Sequence, residues 1–114
     1  MSERTIVEAT KLAIYIGDAD HHAGKPLYRA IVELLRAEGI AGATVLRGVE
    51  GYGATRRIHT AKILDLSQDL PVVIVAIDRD EKIQAILPQI EALVTNGLVT
   101  LEKVRVAFSR PLPL

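Results

Sequence analysis

Alternating hydrophobic and polar positions predict a first β-strand over residues 11–16. The apolar residues at even positions share one face, which is the pattern of a strand with one side in a core. A turn-forming segment follows at 17–20, and Pro26 then stands where a helix accepts proline in its first turn. The next apolar residues have helical spacing and end before Gly39, a typical C-cap: Leu27, Ala30, Ile31, Leu34 and Leu35. The first third of the chain is therefore predicted to be a strand followed by a helix.

The remaining hydrophobic segments predict three more strands and a second helix. Residues 44–50 form the second strand, and residues 70–77 form a third strand that is apolar on both faces. Asp78 and Glu81 have the spacing of an acidic capping box, which predicts that the second helix begins at Asp78. An apolar stripe continues this helix to a glycine-containing stop, and residues 99–108 form the last strand.

The predicted order of elements is β-α-β-β-α-β, which defines an α+β, ferredoxin-like sandwich. Right-handed crossovers then put the first and third strands in the centre and both helices on one face of the sheet. Two helices cannot cover the second apolar face of the third strand, so we expect a homo-oligomer that packs through its open sheet faces. The length predicts a single domain over residues 1–114, with a core at about 11–108 and a proline-rich tail at 109–114.

Charge and composition narrow the classes of function. The 14 basic residues balance 14 acidic residues, so the chain lacks the global positive charge of a nucleic-acid binder. It contains no cysteine, which excludes disulfides, a thiolate nucleophile and cysteine-based metal centres. The longest uninterrupted apolar run, at 72–77, is far shorter than the roughly 20 residues of a membrane helix. We therefore expect a cytoplasmic protein that does not bind nucleic acid.

A glycine-containing segment followed by basic residues is the best candidate for an anion site. Glycines let backbone amides approach an anion, and several basic side chains can converge on phosphate or carboxylate. The candidate ligand-binding residues are Arg47, Gly51, Tyr52, Gly53, Arg56, Arg57, His59 and Lys62. The alternative is a solvated basic loop whose charge is balanced by Asp65 and Asp69.

Metal binding and catalysis have weaker support in the sequence. Asp18, Asp20, His21 and His22 form the one cluster of metal-ligating residue types, and His59 is a distant third partner for the histidines. The alternative is a polar loop in which Asp20 accepts hydrogen bonds from backbone amides, and we assign no metal site. The sequence has no nucleophile elbow, no Ser-His-Asp order and no carboxylate pair in an apolar context. We therefore expect no enzyme activity.

Seven short motifs are spread in order over residues 11–107. They are Tyr15-Ile16-Gly17, Gly24-Lys25-Pro26-Leu27-Tyr28, the glycine-rich segment 39–48, Gly51-Tyr52-Gly53, Arg57-Ile58-His59-Thr60, Leu70-Pro71-Val72-Val73 and Asn96-Gly97-Leu98-Val99-Thr100. In this order and spacing they resemble the family catalogued as domain of unknown function 190. That family is similar to PII signal-transduction proteins, which are trimeric ferredoxin-like domains. The resemblance thus implies a homotrimer, in agreement with the two-faced third strand.

The resemblance also implies a ligand and a mode of action. PII proteins bind adenine nucleotides in clefts between subunits, and they regulate partners through a long loop between the second and third strands. Here that loop corresponds to residues 51–69. Lys103 stands near the position of a phosphate-contacting lysine of PII proteins, while the segment 95–97 has one glycine where those proteins have a glycine-rich phosphate turn. Genes of the family often neighbour fluoride-exporter genes, which implies a membrane channel as a partner.

Two functions follow as expectations from the resemblance. The first is a PII-like regulatory module that binds a small anionic ligand, a nucleotide, at subunit clefts and acts on a protein partner through the 51–69 loop. The alternative is a small metal-binding trimer similar to the copper-tolerance relatives of PII. In that case His21, His22 and His59 would be the ligands, and zinc, nickel or copper(II) the metal, because cysteine is absent.

Overall fold

The computed structural model describes residues 6–53, 58–60 and 69–114, and its elements follow the predicted order. The strands are β1 (Val7–Gly17), β2 (His21–His22), β3 (Lys25–Pro26), β4 (Thr44–Arg47), β5 (Glu50–Gly51), β6 (His59–Thr60), β7 (Pro71–Asp78) and β8 (Leu98–Val106). The helices are α1 (Leu27–Ala37) and α2 (Asp80–Leu93). Within the described residues, no helix is both long enough and apolar enough to cross a membrane.

Four of these strands form one antiparallel sheet in the order β4-β7-β1-β8. The first and third long strands, β1 and β7, are central, as the ferredoxin-like prediction requires. The register runs without interruption from Thr10 opposite Asp78 to Gly17 opposite Pro71. The short strands form two separate hairpin pairs, β2 with β3 and β5 with β6. The predicted α+β, ferredoxin-like fold is confirmed.

The core lies between one face of this sheet and the two helices. Even-numbered residues of the central strands face the helices, and the paired residues Ile14 and Ile74 have no exposed surface. Ile31 of α1 and Ile83 of α2 are equally buried against them. Full burial of an aliphatic side chain of this size contributes about 1.5–3 kcal/mol to the free energy of unfolding. The alternation in the strands and the helical stripes therefore meet in one apolar layer.

The opposite face of the sheet carries the second set of apolar side chains. Leu46 is 55% exposed, and Leu98 is 58% exposed beside the partly exposed Tyr15. Val73 and Val75 lie between them and are only half-buried by their neighbours within the chain. Among the described residues, the expectation that the two helices leave this apolar face open is thus confirmed.

Several element boundaries differ from the predicted ones, and the last strand, for example, ends at Val106 instead of residue 108. The sheet strand β4 ends at Arg47 instead of residue 50, because the chain turns there to pair Glu50 with Thr60 in a separate hairpin. Strand β1 begins at Val7, earlier than residue 11, because it pairs with β8 along its full length. Helix α2 begins at Asp80, and the prediction of a helix start at Asp78 was wrong. Asp78 is the last residue of β7, opposite Thr10.

The carboxylate of Asp80 supports the start of α2. Its Oδ1 accepts a hydrogen bond of 2.7 Å from the Thr10 hydroxyl of β1. This bond, with a second one from the Gln84 side chain, lowers the pKa of Asp80 below its usual value. An acidic residue in the first turn also interacts favourably with the helix dipole. The contact fixes the amino end of α2 against the central strand of the sheet.

Candidate functional site

The turn after β1 holds both ends of the connection that joins β4 to β7. Asp18 Oδ1 lies 2.6 Å from Nη2 of Arg47, the last residue of β4. This ion pair raises the pKa of Arg47, mainly through the hydrogen bond. At the other end, the Asp18 amide donates to the Leu70 carbonyl at 2.8 Å, and the Ala19 amide donates to Asp69 Oδ1 at 2.7 Å. One turn of the chain therefore positions the two ends of the predicted functional loop.

Glycines allow the start of this connection, just after β4, to pass close to Pro71, the first residue of β7. The Gly48 amide donates to the Pro71 carbonyl at 2.7 Å. A Cβ atom at Gly48 would lie 2.7 Å from Pro71 Cγ, and one at Gly51 would lie 3.0 Å from the same atom. At Gly53 no atom lies within 4 Å of the Cβ position. The first two glycines are thus required by packing, whereas Gly53 faces open space.

A cavity of about 360 Å³ lies beside this turn, at the end of the sheet where β1 stops and β8 starts. Three backbone segments surround it, together with two carboxylates and a proline. The lining consists of residues 15–17, 51–53 and 96–98, with Asp20, Asp69 and Pro71. The rings of Tyr15 and Tyr52 and the side chain of Leu98 provide apolar surface, and each is substantially exposed. Two of its lining residues, Tyr15 and Leu98, also lie on the uncovered face of the sheet.

The structure brings part of the predicted ligand-binding set to this cavity. Gly51, Tyr52 and Gly53 line it. Arg47 does not, because its guanidinium is paired with Asp18 at the side of the cavity. The backbone of His59 pairs with Gly51 in the β5–β6 hairpin. Arg56, Arg57 and Lys62 lie outside the described residues, as does Asp65, which the alternative interpretation of the loop invoked.

Lys103 is far from the cavity within the same chain. It lies on β8 opposite Thr10, whereas the cavity residue Leu98 lies opposite Tyr15. At the rise of an extended strand these two positions on β8 are separated by roughly 17 Å. Its positive charge contributes instead to the lowered pKa of Asp80. In a single chain, Lys103 therefore belongs to the opposite end of the sheet.

Two carboxylates at the cavity were not among the predicted ligand-binding residues. Asp20 Oδ2 accepts a hydrogen bond from the Gly17 amide at 2.9 Å, as the polar-loop alternative predicted. Asp69 Oδ1 accepts the bond from Ala19, and its carboxylate packs directly against Gly17. Along the chain, α1, β4 and the 51–69 loop lie between Asp20 and Asp69, so only the topology brings the two together. The available sequence signal was that both residues directly flank predicted strands or turns at one end of the sheet.

The histidines lie on a separate, exposed hairpin. His21 pairs with Pro26 and His22 with Lys25, and the His21 ring Nδ1 lies 2.6 Å from the Ala19 carbonyl. In the part of the chain that the structure describes, no three histidine, aspartate or glutamate side chains are placed to share a metal ion. The described residues therefore provide a cavity with acidic and apolar walls but no metal centre.

Comparison with solved structures defines the class of fold. Over 92% of this chain and 93% of the other, it superposes with a TM-score of 0.68 on CPII from Thiomonas intermedia K12, at 20% identity. CPII is a nitrogen regulatory PII-like protein solved with ADP, AMP and bicarbonate. A second match is the divalent ion tolerance protein CutA1 from Ehrlichia chaffeensis, with a TM-score of 0.56, 13% identity, and coverage of 96% and 89%. The fold is that of PII-like proteins.

The sequence comparison identifies the family within this class. The chain belongs to the DUF190 family, described as uncharacterized ACR, whose model matches residues 9–106. A UPF0166 protein of Aquifex aeolicus is 39% identical over 103 residues, which cover 90% of this chain and 97% of the relative. The resemblance deduced from the seven motifs is therefore confirmed.

Proposed function

We propose that this protein is a PII-like regulatory module, not an enzyme, that binds an adenine nucleotide and acts on a protein partner through residues 51–69. The observation that carries the proposal is the position of the cavity, which lies between the Gly17–Asp20 turn and both ends of the 51–69 loop. A PII-like protein of the same fold, CPII, was solved with ADP and AMP. The volume of the cavity falls in the range of small-ligand sites.

The walls of the cavity suit the two parts of a nucleotide differently. Tyr15, Tyr52 and Leu98 offer apolar and aromatic surface against which a purine base can pack. The phosphates require cations, and the sequence supplies Arg56 and Arg57 a short distance after the cavity residue Gly53. Open space around Gly53 lets a ligand approach its backbone. We assign base recognition to the described walls and phosphate recognition to the two arginines.

The same geometry gives the ligand a means of acting on the loop. The turn after β1 contacts the chain at the start of the loop through Arg47 and at the end of the loop through Asp69. A nucleotide in the cavity contacts residues of the turn and of the loop base together. It shifts the loop toward one conformation only by the amount by which it binds that conformation more tightly. The protein partner, which the family resemblance suggests is a membrane channel, would then recognise the ligand-bound conformation.

A homotrimer completes this proposal, because the cavity and the open sheet face share residues. Tyr15 and Leu98 line the cavity and also belong to the apolar face that the chain leaves uncovered. A neighbouring subunit that covers this face would therefore also close the cavity. Burial of such a contiguous apolar surface is the dominant favourable term in subunit association. The ligand site would then lie in a cleft between subunits.

Replacement of Leu46 with aspartate is expected to dissociate the trimer. Leu46 lies on the open face opposite Val73 and is 55% exposed, so an aspartate is tolerated in the monomer but is buried unpaired in an assembly. Multi-angle light scattering should give a trimer mass for the wild type and a monomer mass for Leu46→Asp. The matched control is Leu112→Asp, because Leu112 is also exposed but lies in the tail. A wild-type monomer, or an intact Leu46→Asp trimer, would contradict the proposal.

Adenine nucleotides are expected to stabilise the wild type through Arg56 and Arg57. Nucleotide at 100 times its dissociation constant should add about 2.7 kcal/mol per site to the free energy of unfolding. The measurement is thermal unfolding with AMP, ADP, ATP, cyclic AMP and divalent metals. The double substitution Arg56→Ala with Arg57→Ala should abolish the nucleotide-dependent shift.

A matched pair of arginines on α1 controls for the loss of charge. Arg29→Ala with Arg36→Ala also removes two positive charges, but from exposed helix positions. This variant should leave the nucleotide-dependent shift in the unfolding midpoint unchanged. If no nucleotide shifts the midpoint, the proposal fails. If only metals shift it, and His21→Ala with His22→Ala removes that shift, the metal-binding alternative replaces it.

A further inference from the structure

We infer that the cavity binds the ribose hydroxyls of the nucleotide through the carboxylates of Asp20 and Asp69, so that the protein selects ribonucleotides over deoxyribonucleotides. This inference rests on the proposed function, since it assigns an orientation and a sugar specificity to the same site. It is carried by the cavity as a whole, whose lining combines the apolar surface of Tyr15, Tyr52 and Leu98 with the hydrogen-bonded carboxylates of Asp20 and Asp69.

Both carboxylates are hydrogen-bonded to backbone amides of the Gly17–Asp20 turn. Asp20 accepts from the Gly17 amide at 2.9 Å through Oδ2, and Asp69 accepts from the Ala19 amide at 2.7 Å through Oδ1. Each carboxylate thus uses one oxygen to hold the turn. Within residues 6–53, 58–60 and 69–114, no hydrogen bond is made to the second oxygen of either side chain, although both side chains line the cavity. Preorganised acceptors of this kind lose little conformational entropy on binding.

The chemistry of these acceptors determines which part of a nucleotide can face them. A carboxylate only accepts hydrogen bonds, so the facing group must be a donor such as a hydroxyl or an amine. A phosphate has the same sign of charge, and among the described lining residues no lysine or arginine is present to offset the repulsion. The phosphates must therefore point away from Asp20 and Asp69.

The distribution of apolar surface indicates that the group donating hydrogen bonds to the two carboxylates is the ribose and not the purine base. Tyr15, Tyr52 and Leu98 form the walls, and a purine packed on them has its flat face in contact with apolar atoms. The ribose carries two adjacent hydroxyl donors, which match a pair of carboxylate acceptors. A site built to hydrogen-bond a hydroxyl discriminates strongly against an analogue that lacks it, because its polar groups then stay unpaired.

The test compares ribose and deoxyribose ligands on the wild type and on isosteric variants. Isothermal titration calorimetry is performed with ADP, 2′-deoxy-ADP and 3′-deoxy-ADP. On the wild type at least one deoxy analogue should bind about tenfold or more weakly, as expected for loss of a hydrogen bond to a charged acceptor. Asp69→Asn and Asp20→Asn keep the shape and one acceptor oxygen for the turn. Each should weaken ADP binding and reduce the difference between ADP and the deoxy analogues.

A remote charge change supplies the control, and the outcomes separate the two proposals. Glu33→Gln removes one negative charge from α1, where Glu33 is exposed and paired with Lys25, and should leave ribose selectivity intact. Thermal unfolding without ligand verifies that the asparagine variants fold. If ADP and both deoxy analogues bind the wild type equally, ribose selection is wrong while the regulatory proposal stands. If the preference persists unchanged in both asparagine variants, other groups read the sugar and the inference is overturned. If no nucleotide binds, both proposals fail.

Discussion

Replacement of Asp78 with alanine is expected to lower the free energy of unfolding by about 2–4 kcal/mol. Asp78 is only 2% exposed and is one of two polar residues among the buried described side chains. Its Oδ2 accepts a hydrogen bond from the Ala41 amide at 2.9 Å, and its Oδ1 accepts one from the Arg79 amide at 2.7 Å. Lys82 Nζ lies 3.3 Å from Oδ2. Alanine leaves two backbone donors without their acceptor at the junction between β7 and α2.

Urea unfolding followed by circular dichroism, at a fixed protein concentration, measures this effect. Glu81→Ala is the matched control, because Glu81 is an acidic residue of the same junction but is exposed in the first turn of α2. Its substitution should change the free energy of unfolding by less than about 0.5 kcal/mol. Asp78→Asn should fall between the two, since the amide keeps one acceptor oxygen. Equal effects of Asp78→Ala and Glu81→Ala would show that the buried hydrogen bonds contribute little.

The role of Asp78 also shows where sequence patterns stop being informative. Its spacing from Glu81 is that of a capping box, and the helix that follows was predicted correctly. Local spacing cannot show that β7 continues through Asp78, because the pairing with Thr10 depends on a strand far away in the chain. Nor could it show that the carboxylate would bind the Ala41 amide of another loop. The elements were predictable from period and propensity, whereas their boundaries depend on long-range pairing.

In the candidate site, too, local signals were predictable from the sequence and long-range positions were not. The motif Gly51-Tyr52-Gly53 marked a segment that does line the cavity, since glycine and aromatic residues in a loop are local signals. The sequence analysis named Asp20 in the metal-type cluster and Asp69 as a balancing charge, but it assigned neither to the ligand site. Their proximity is created by the meeting of β1 and β7 at one end of the sheet. Lys103 carries a positive charge, but within a single chain the register of β8 puts it at the other end of the sheet. Residue type was thus a guide to chemistry, and topology decided position.

Replacement of Gly97 with alanine is expected to lower the free energy of unfolding by about 2–3 kcal/mol and to weaken nucleotide binding. A Cβ atom at Gly97 would lie 2.5 Å from the backbone carbonyl oxygen of Tyr15, 2.9 Å from Val94 Cγ1 and 3.2 Å from Ile16 Cγ2. The side chain of Val94 can move, but the Tyr15 carbonyl belongs to the central strand β1 and cannot. The turn that carries Gly97 must therefore shift away from β1, and this shift deforms the cavity that both segments line.

Gly53→Ala is the matched control, since Gly53 lines the same cavity but has no atom within 4 Å of its Cβ position. Substitution there should leave stability unchanged or raise it by up to about 1 kcal/mol, because alanine restricts the unfolded chain more than glycine does. Urea unfolding and ADP titration of both variants separate packing from ligand contact. Loss of stability in Gly97→Ala alone would show that the glycine is required by the close approach of this turn to β1. Unchanged stability in Gly97→Ala would mean that the turn between α2 and β8 adapts without cost, and its glycine would then have to be explained by the ligand.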